Sequence, residues 1–167
     1  MTAQKKAKPV VVGVISDTHG ALSEGALRAL EGVDRIVHAG DIIGGDVIST
    51  LARIAKVVAV RGNMDRYSTA SGLPRTALAD IAGTSVYVLH DLMDLDIEPV
   101  AAGISVVVHG HTHRAEITWK NGVLYLNPGS ARARADGTAT IARLTLSEDG
   151  IVPEIIRLDP SLHRPAL

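Results

Sequence analysis

The sequence predicts an α/β fold, and three observations carry that expectation. Short apolar runs rich in valine and isoleucine recur along the chain, the pattern of strands buried on both faces. In the first third these runs alternate with segments of helical spacing that open on capping residues, which makes strand–helix–strand units. One Trp, three Tyr and no Phe stand among 167 residues that are 46% hydrophobic, so the core must be built from Val, Ile, Leu and Ala. A chain of this length can bury one substantial core.

Residues 1–8 are expected to be a disordered leader, residues 9–160 a single domain and residues 161–167 a tail. Pro9 opens the first strand, residues 10–15, and Ser16-Asp17-Thr18-His19-Gly20 follows as its C-terminal loop. Ser23 can cap a helix with Leu27 and Leu30 on one face, closed near Gly32. The second strand, residues 35–38, ends in Ala39-Gly40-Asp41. Asp46 is expected to cap a helix carrying Val47, Leu51 and Ile54 at helical spacing. The third strand, residues 56–60, runs into Arg61-Gly62-Asn63-Met64-Asp65.

Residues 66–75 read as a polar surface loop. Residues 77–81 and 84–89 flank Ala82-Gly83 as a hairpin that ends in His90-Asp91. A short helix is expected within residues 94–103, then a strand over residues 105–109. Residues 116–120 and 123–127 flank Asn121-Gly122, a strong hairpin signal because both residues accept positive φ. Residues 138–146 and 151–158 pair around Asp149-Gly150. The β-rich second half is expected to pack its own sheet on the first.

Strand–helix–strand units imply parallel pairing through right-handed crossovers, so the loops that end the first three strands share one edge. Ligands of open α/β sheets bind in the crevice beyond that edge. Asp17, His19, Asp41 and Asn63 thereby become neighbours.

The chain carries no cysteine, which excludes disulfides, thiolate metal sites and cysteine nucleophiles. A formal net charge of −1 argues against bulk binding of nucleic acid but leaves room for a local phosphate pocket. The basic start lacks the long apolar run of a signal peptide, and no stretch approaches membrane-spanning length, so a cytoplasmic location is the expectation.

Chemistry concentrates in His109-Gly110-His111-Thr112-His113, at the end of an apolar strand. Imidazoles are common metal ligands and need carboxylates to complete a site; Asp17 and Asp41 can supply them. Asn63 offers a neutral carbonyl oxygen, and His90 closes a hairpin strand on its own. Each is unremarkable alone, but all fall at strand ends. His38 and Asp65 are candidates for orienting the ligands. Arg61, Arg66 and Arg114 lie beside these motifs, where a phosphate oxygen could be held. Residues 127–130 are expected to shape the pocket floor.

These blocks, Asp17-Thr18-His19, Gly40-Asp41, Gly62-Asn63-Met64-Asp65, His90, Gly110-His111-Thr112-His113 and Asn127-Pro128-Gly129-Ser130, resemble the calcineurin-like metallophosphoesterases, especially their small single-domain bacterial and archaeal phosphodiesterases. The resemblance implies a four-layer α-β-β-α sandwich of two packed mixed sheets flanked by helices. It implies one ion held by Asp17, His19, Asp41 and His113, and a second held by Asp41, Asn63, His90 and His111. Asp41, Asn63 and His90 are then the central catalytic residues, and His109 is not a ligand. Mn2+ is the expected metal, with Ni2+, Fe or Zn2+ as alternatives for such a thiolate-free set.

The implied reaction is hydrolysis of a small phosphoester, a phosphodiester first, by in-line attack of a hydroxide bridging two ions. Many larger family members carry a proton-donating His where this chain has Met64, as the small branch also lacks it; activated leaving groups should therefore be favoured. No membrane partner is expected, and a homodimer is suggested by resemblance alone. The alternative is a non-catalytic interaction scaffold on the same fold, as in the retromer subunit that resembles this family.

Overall fold

A computed structural model describes residues 7–162, and its ten strands form two five-stranded sheets. The expected leader and tail lie largely outside these residues. In chain order the elements are β1 (Val10–Ile15), α1 (Glu24–Ala29), β2 (Arg35–His38), α2 (Gly45–Ala52), β3 (Lys56–Ala59), β4 (Thr76–Ile81), β5 (Thr84–Leu89), β6 (Val106–Val108), β7 (Ala115–Lys120), β8 (Val123–Pro128), β9 (Thr140–Ser147) and β10 (Gly150–Arg157).

The first sheet has the order β10-β9-β1-β2-β3, and the second β4-β5-β6-β8-β7. Strands β1, β2 and β3 pair in parallel, as the crossovers require. So do β5, β6 and β8, while β4, β7, β9 and β10 run antiparallel to their neighbours. The β9–β10 hairpin was expected in the second sheet. It pairs instead with β1, because the alternating apolar residues Ala142, Leu144 and Leu146 of β9 match Val14, Val12 and Val10 across the register.

Side-chain alternation divides the core. Val12 and Val14 of β1, Val37 of β2, Val86 and Val88 of β5, Val106 and Val108 of β6, and Leu124 and Leu126 of β8 pack between the sheets. On the outer face of the first sheet, Ile15 and Ile36 meet Ala26 and Leu30 of the α1 segment and Val47 and Leu51 of α2. The outer face of the second sheet buries Tyr87, Leu89, Val107 and Val123 under Leu95, Ile97 and Ile104. The result is the two-sheet α/β sandwich, with its helices on the first sheet. The helix expected within residues 94–103 is absent: a 3-10 turn at Leu92–Asp94 and further turns cover that face. Pro99 and Gly103 there do not favour a regular helix.

Ser23 caps α1 through the Ala26 N–H, as expected. Asp46 does not cap α2; Gly44 occupies that position and Asp46 sits in the first turn, where its charge favours the helix dipole. The 66–75 loop is wound into 3-10 turns at Asn63–Tyr67 and Thr69–Gly72. Residues Pro160–Leu162, partly assigned to the tail, form a turn packed on α1. Among the described residues no helix is long and apolar enough to cross a membrane.

Candidate metal centre

Because β1, β2, β3, β5 and β6 are parallel within their sheets, five loops leave C-terminal strand ends and can meet at one edge. Asp17 and His19 follow β1, Asp41 follows β2, Asn63 follows β3, His90 follows β5, and His111 and His113 follow β6. The sequence placed the first three loops together; the structure adds those of the second sheet.

The backbone that presents these side chains is unusual. Asp17, His19, Asp41, His111 and His113 all have positive φ, from 46° to 68°. Non-glycine residues reach this region at a cost of about 1 kcal/mol each. Asp17 and His19 therefore converge through left-handed turns, not through the extended alternation expected from their spacing. A ladder between the loops offsets the cost: the N–H groups of Asp17, His19 and Gly20 donate to the carbonyls of Gly40, Asp41 and Ile42 at 3.0, 3.0 and 2.7 Å.

Asp17 is completely buried. Its Oδ2 accepts from Ser16 Oγ at 2.7 Å and from the His111 N–H at 3.2 Å. A Cβ on Gly110 would collide with Ser16 Oγ, so only glycine lets the histidine loop seat against this carboxylate. Among the described residues Asp17 Oδ1 has no hydrogen-bond partner. His113 Nε2 lies 3.1 Å from it and His19 Nε2 4.0 Å, without completing a hydrogen bond. The two Nε2 atoms are 3.3 Å apart. Burial lowers the His19 pKa, favouring the neutral ring whose lone pair can serve a ligand.

Across the site, His90 Nδ1 lies 2.7 Å from the Ala39 carbonyl. A carbonyl only accepts, so Nδ1 carries the proton and Nε2 of the neutral ring presents a lone pair. That Nε2 stands 3.1 Å from Asn63 Oδ1 and 3.4 Å from Asp41 Oδ1. Burial opposes charge on His90, but the Asp41 contact outweighs it and raises the pKa. Burial likewise pushes Asp41 up, while His90 and the Met64 N–H at 2.9 Å prevail and leave its pKa lowered. Gly62 packs so closely on Asp41 that a Cβ would strike its carboxylate. His111 Nδ1 approaches Asn63 Oδ1 to 3.2 Å.

Among the described residues two groups of three could hold an ion, Asp17–His19–His113 and Asp17–Asp41–His90, each with one ligand atom per residue and all such atoms within 4.8 Å. The donor set fits divalent cations on structural grounds. A buried carboxylate oxygen lacks a partner, and lone pairs of Asp41, Asn63 and His90 face one another where only a proton or a cation can reconcile them.

Neither His38 nor Asp65 enters this cluster; both hold its loops. His38 is fully buried, and burial drives its pKa down to about 3. Its Nδ1 accepts from the Gly40 N–H at 3.2 Å, so Nε2–H is left to donate to Thr18 Oγ1 at 3.1 Å. The buried Asp65 carboxylate accepts the N–H groups of Ile42, Ile43 and Gly62 at 2.7 to 3.1 Å, tying the Asp41 and Asn63 loops together. Asn127 donates to the Gly110 carbonyl at 2.9 Å and to Thr112 Oγ1 at 3.0 Å. It braces the histidine loop from beneath and does not line the main cleft, where residues 127–130 were expected. His109 is buried beside Asn127 and outside both groups.

Beside Asn63, His90 and His111 opens a cleft of about 920 Å³ whose walls include Arg61, Arg66, Arg75, Asp91, Asp94 and Asp96. Arg61 and Arg66 line it as expected; Arg114 does not. Asp91 is a residue the motif reading passed over: its Oδ2 lies 3.5 Å from His111 Nε2. Its position directly after His90 was the available signal.

Comparison with known proteins identifies the family. A family model described as the calcineurin-like phosphoesterase superfamily domain matches residues 10–149. The chain is 31% identical over 163 residues to a probable metallophosphoesterase of Methanocaldococcus jannaschii, covering 90% of this chain and 82% of the relative. Among solved structures it superposes on Vacuolar Protein Sorting 29 from Cryptosporidium parvum (TM-score 0.72, 17% identity, 92% and 100% of the two chains). It also superposes on a protein described as a novel archaeal phosphodiesterase (TM-score 0.70, 22% identity, 89% and 100%). At these identities the two superpositions establish the fold. The matched family model and the archaeal relative place the chain in the calcineurin-like phosphoesterase superfamily, as a metallophosphoesterase.

Proposed function

We infer that the chain is a phosphodiesterase acting at a dinuclear centre. The observation that carries this is the buried, unpartnered Asp17 Oδ1 set among Asp41, His19, His90 and His113. Asp17, His19, Asp41 and His113 would hold one ion, and Asp41, Asn63, His90 and His111 the other, Asp41 being common to both sets. Mn2+ suits these oxygen and imidazole donors, and Ni2+, Fe and Zn2+ are compatible with them. Two such ions lower the pKa of water and neutralise charge on the phosphoryl oxygens.

The chain's own residues set the geometry. The Ala39 carbonyl fixes the His90 ring so that its Nε2 faces the centre. The Met64 N–H and the close-packed Gly62 hold the Asp41 carboxylate in one rotamer. Arg61 and Arg66 line the adjoining cleft, which is roomy enough for a diester substituent. Met64 borders the cleft and cannot give a proton to a departing alkoxide.

The test is hydrolysis of an aryl phosphodiester and of the matching monoester by metal-stripped protein, with each metal added back. Cleavage that depends on added metal and prefers the diester is expected. Asp41→Ala or His111→Ala should reduce it by about 10²-fold or more while the chain stays folded. Well-folded, metal-loaded protein without cleavage would overturn the reading in favour of a non-catalytic interaction scaffold on the same fold. The full set of donor residues favours the enzyme, and a cytoplasmic location is in keeping with it.

A further inference from the structure

The His111–His113 loop separates two cavities. The large cleft lies on the Asn63, His90 and His111 side, with three arginines and three aspartates in its walls. A second cavity of about 330 Å³ lies on the His113 side, lined by His113, Ala115, Arg134, Thr138, Thr140, Ile155 and Arg157. Its character is different. Arg134 Nη1 donates to the His113 carbonyl at 3.2 Å, which ties this exposed guanidinium to the histidine loop. Arg157, at the end of β10, stands in the same wall. Arg132 is close enough for its charge to act on His19. The acidic neighbour is Asp136, which interacts with both Arg134 and Arg157 and accepts from Thr138. Two arginines against one aspartate leave the cavity cationic, where the larger cleft is balanced.

A phosphodiester carries two substituents that diverge from phosphorus. Lying across the centre, it can send one to each side of the loop. We propose that the Arg134–Arg157 cavity is a second anion subsite, so that the natural substrate is a phosphodiester with a further phosphate on one substituent, as in an oligonucleotide or a phosphorylated nucleoside ester. Guanidinium forks suit a phosphate group, and Arg134, tied to the His113 carbonyl, supplies half of the clamp. The substituent on the far side occupies the balanced cleft. The inference rests on the diesterase reading of the centre for its substrate, but the subsite itself can be tested separately.

Two measurements do so. In the first, inorganic phosphate is titrated into the metal-free full-length chain while the arginine Nε–H signals are followed by NMR. Saturable shifts of Arg134 and Arg157 are expected, weakened about tenfold in Arg157→Gln and partly retained in Arg157→Lys. In the second, metal-loaded protein is given an aryl phosphodiester and an analogue with a phosphate on the non-leaving substituent. The kcat/KM ratio of phosphorylated to plain substrate should exceed one and fall about tenfold in Arg157→Gln, an exposed position at a sheet edge where the fold tolerates change. Absence of saturable shifts, or a ratio unmoved by Arg157→Gln, would overturn the subsite even if the plain diester is cleaved. Saturable shifts weakened about tenfold in Arg157→Gln would uphold the anion site even if neither diester is cleaved, in which case it is the diesterase reading that fails.

Discussion

His19 Nε2 and His113 Nε2 lie 3.3 Å apart, their rings edge to face, although 94 residues separate them in the chain. The inter-loop backbone ladder holds His19, and the rings so placed stand beside the buried Asp17 Oδ1, which accepts no hydrogen bond from the described residues. Burying that oxygen without a donor is costly, and a cation seated there would offset the cost.

Asp17→Asn should therefore separate stability from function. An amide in place of the bare oxygen could donate toward His19 or His113 while its carbonyl keeps the Ser16 and His111 bonds. The metal-free variant is expected to be more stable than the parent by about 1–2 kcal/mol in urea unfolding. Its stabilisation by added metal should largely vanish, as titration calorimetry would show. A metal-free variant less stable than the parent would contradict this account of Asp17 Oδ1.

Asp65→Ala tests a residue that holds loops without touching the centre. It strips acceptors from three backbone N–H groups, at a cost of about 3 kcal/mol in urea unfolding of the metal-free chain. Metal affinity should fall about 10- to 100-fold, since the Asp41 and Asn63 loops lose their tie. Asp65→Asn, which keeps an acceptor, should lie between. Unchanged metal affinity in the alanine variant would remove Asp65 from the positioning role.

His38 makes stability depend on pH. Its folded pKa of about 3 is below the ordinary value of 6.5, so the unfolded chain takes up the proton first as pH falls. The contribution is complete above about pH 6.5 and is lost progressively toward pH 3. The slope approaches about 1.4 kcal/mol per pH unit. Burial lowers His19 and His109 too, so the informative quantity is the difference between parent and His38→Asn in metal-free urea unfolding at several pH values. The variant should lose stability less steeply below pH 6.5; parallel curves would assign the slope elsewhere.

Met64 sets the leaving-group dependence. With no proton donor at this position, rates across a series of aryl and alkyl diesters should fall steeply as the leaving group becomes more basic. Met64→His should flatten the dependence and raise rates on alkyl diesters by about 10- to 100-fold. A shallow dependence in the parent, with chemistry shown to limit the rate, would point to another donor.

Much of this site was legible in the sequence because strand-end loops are short and local. The runs before Asp17, Asp41 and Asn63 and their crossovers fix one sheet edge, and the motif glycines mark where chains approach closely. Long-range pairing was less legible. The β9–β10 hairpin could have extended either sheet, and its partner was decided by apolar register with β1. That choice carries Arg157 to the wall beside His113, so the cationic cavity had no local signature. The left-handed turns at the ligands were also hidden: spacing of two suggested an extended strand, whereas the inter-loop ladder stabilises a conformation that propensity disfavours.

Those turns also shape how the protein can change. At His19 and His113 a glycine would relieve backbone cost of about 1 kcal/mol each and remove a proposed ligand in the same step. Stability alone thus pushes the ligand loops toward glycine, and only a requirement for the metal opposes that drift. A descendant that kept this fold for docking alone would be expected to shed its histidines there first, and to gain robustness as it lost chemistry.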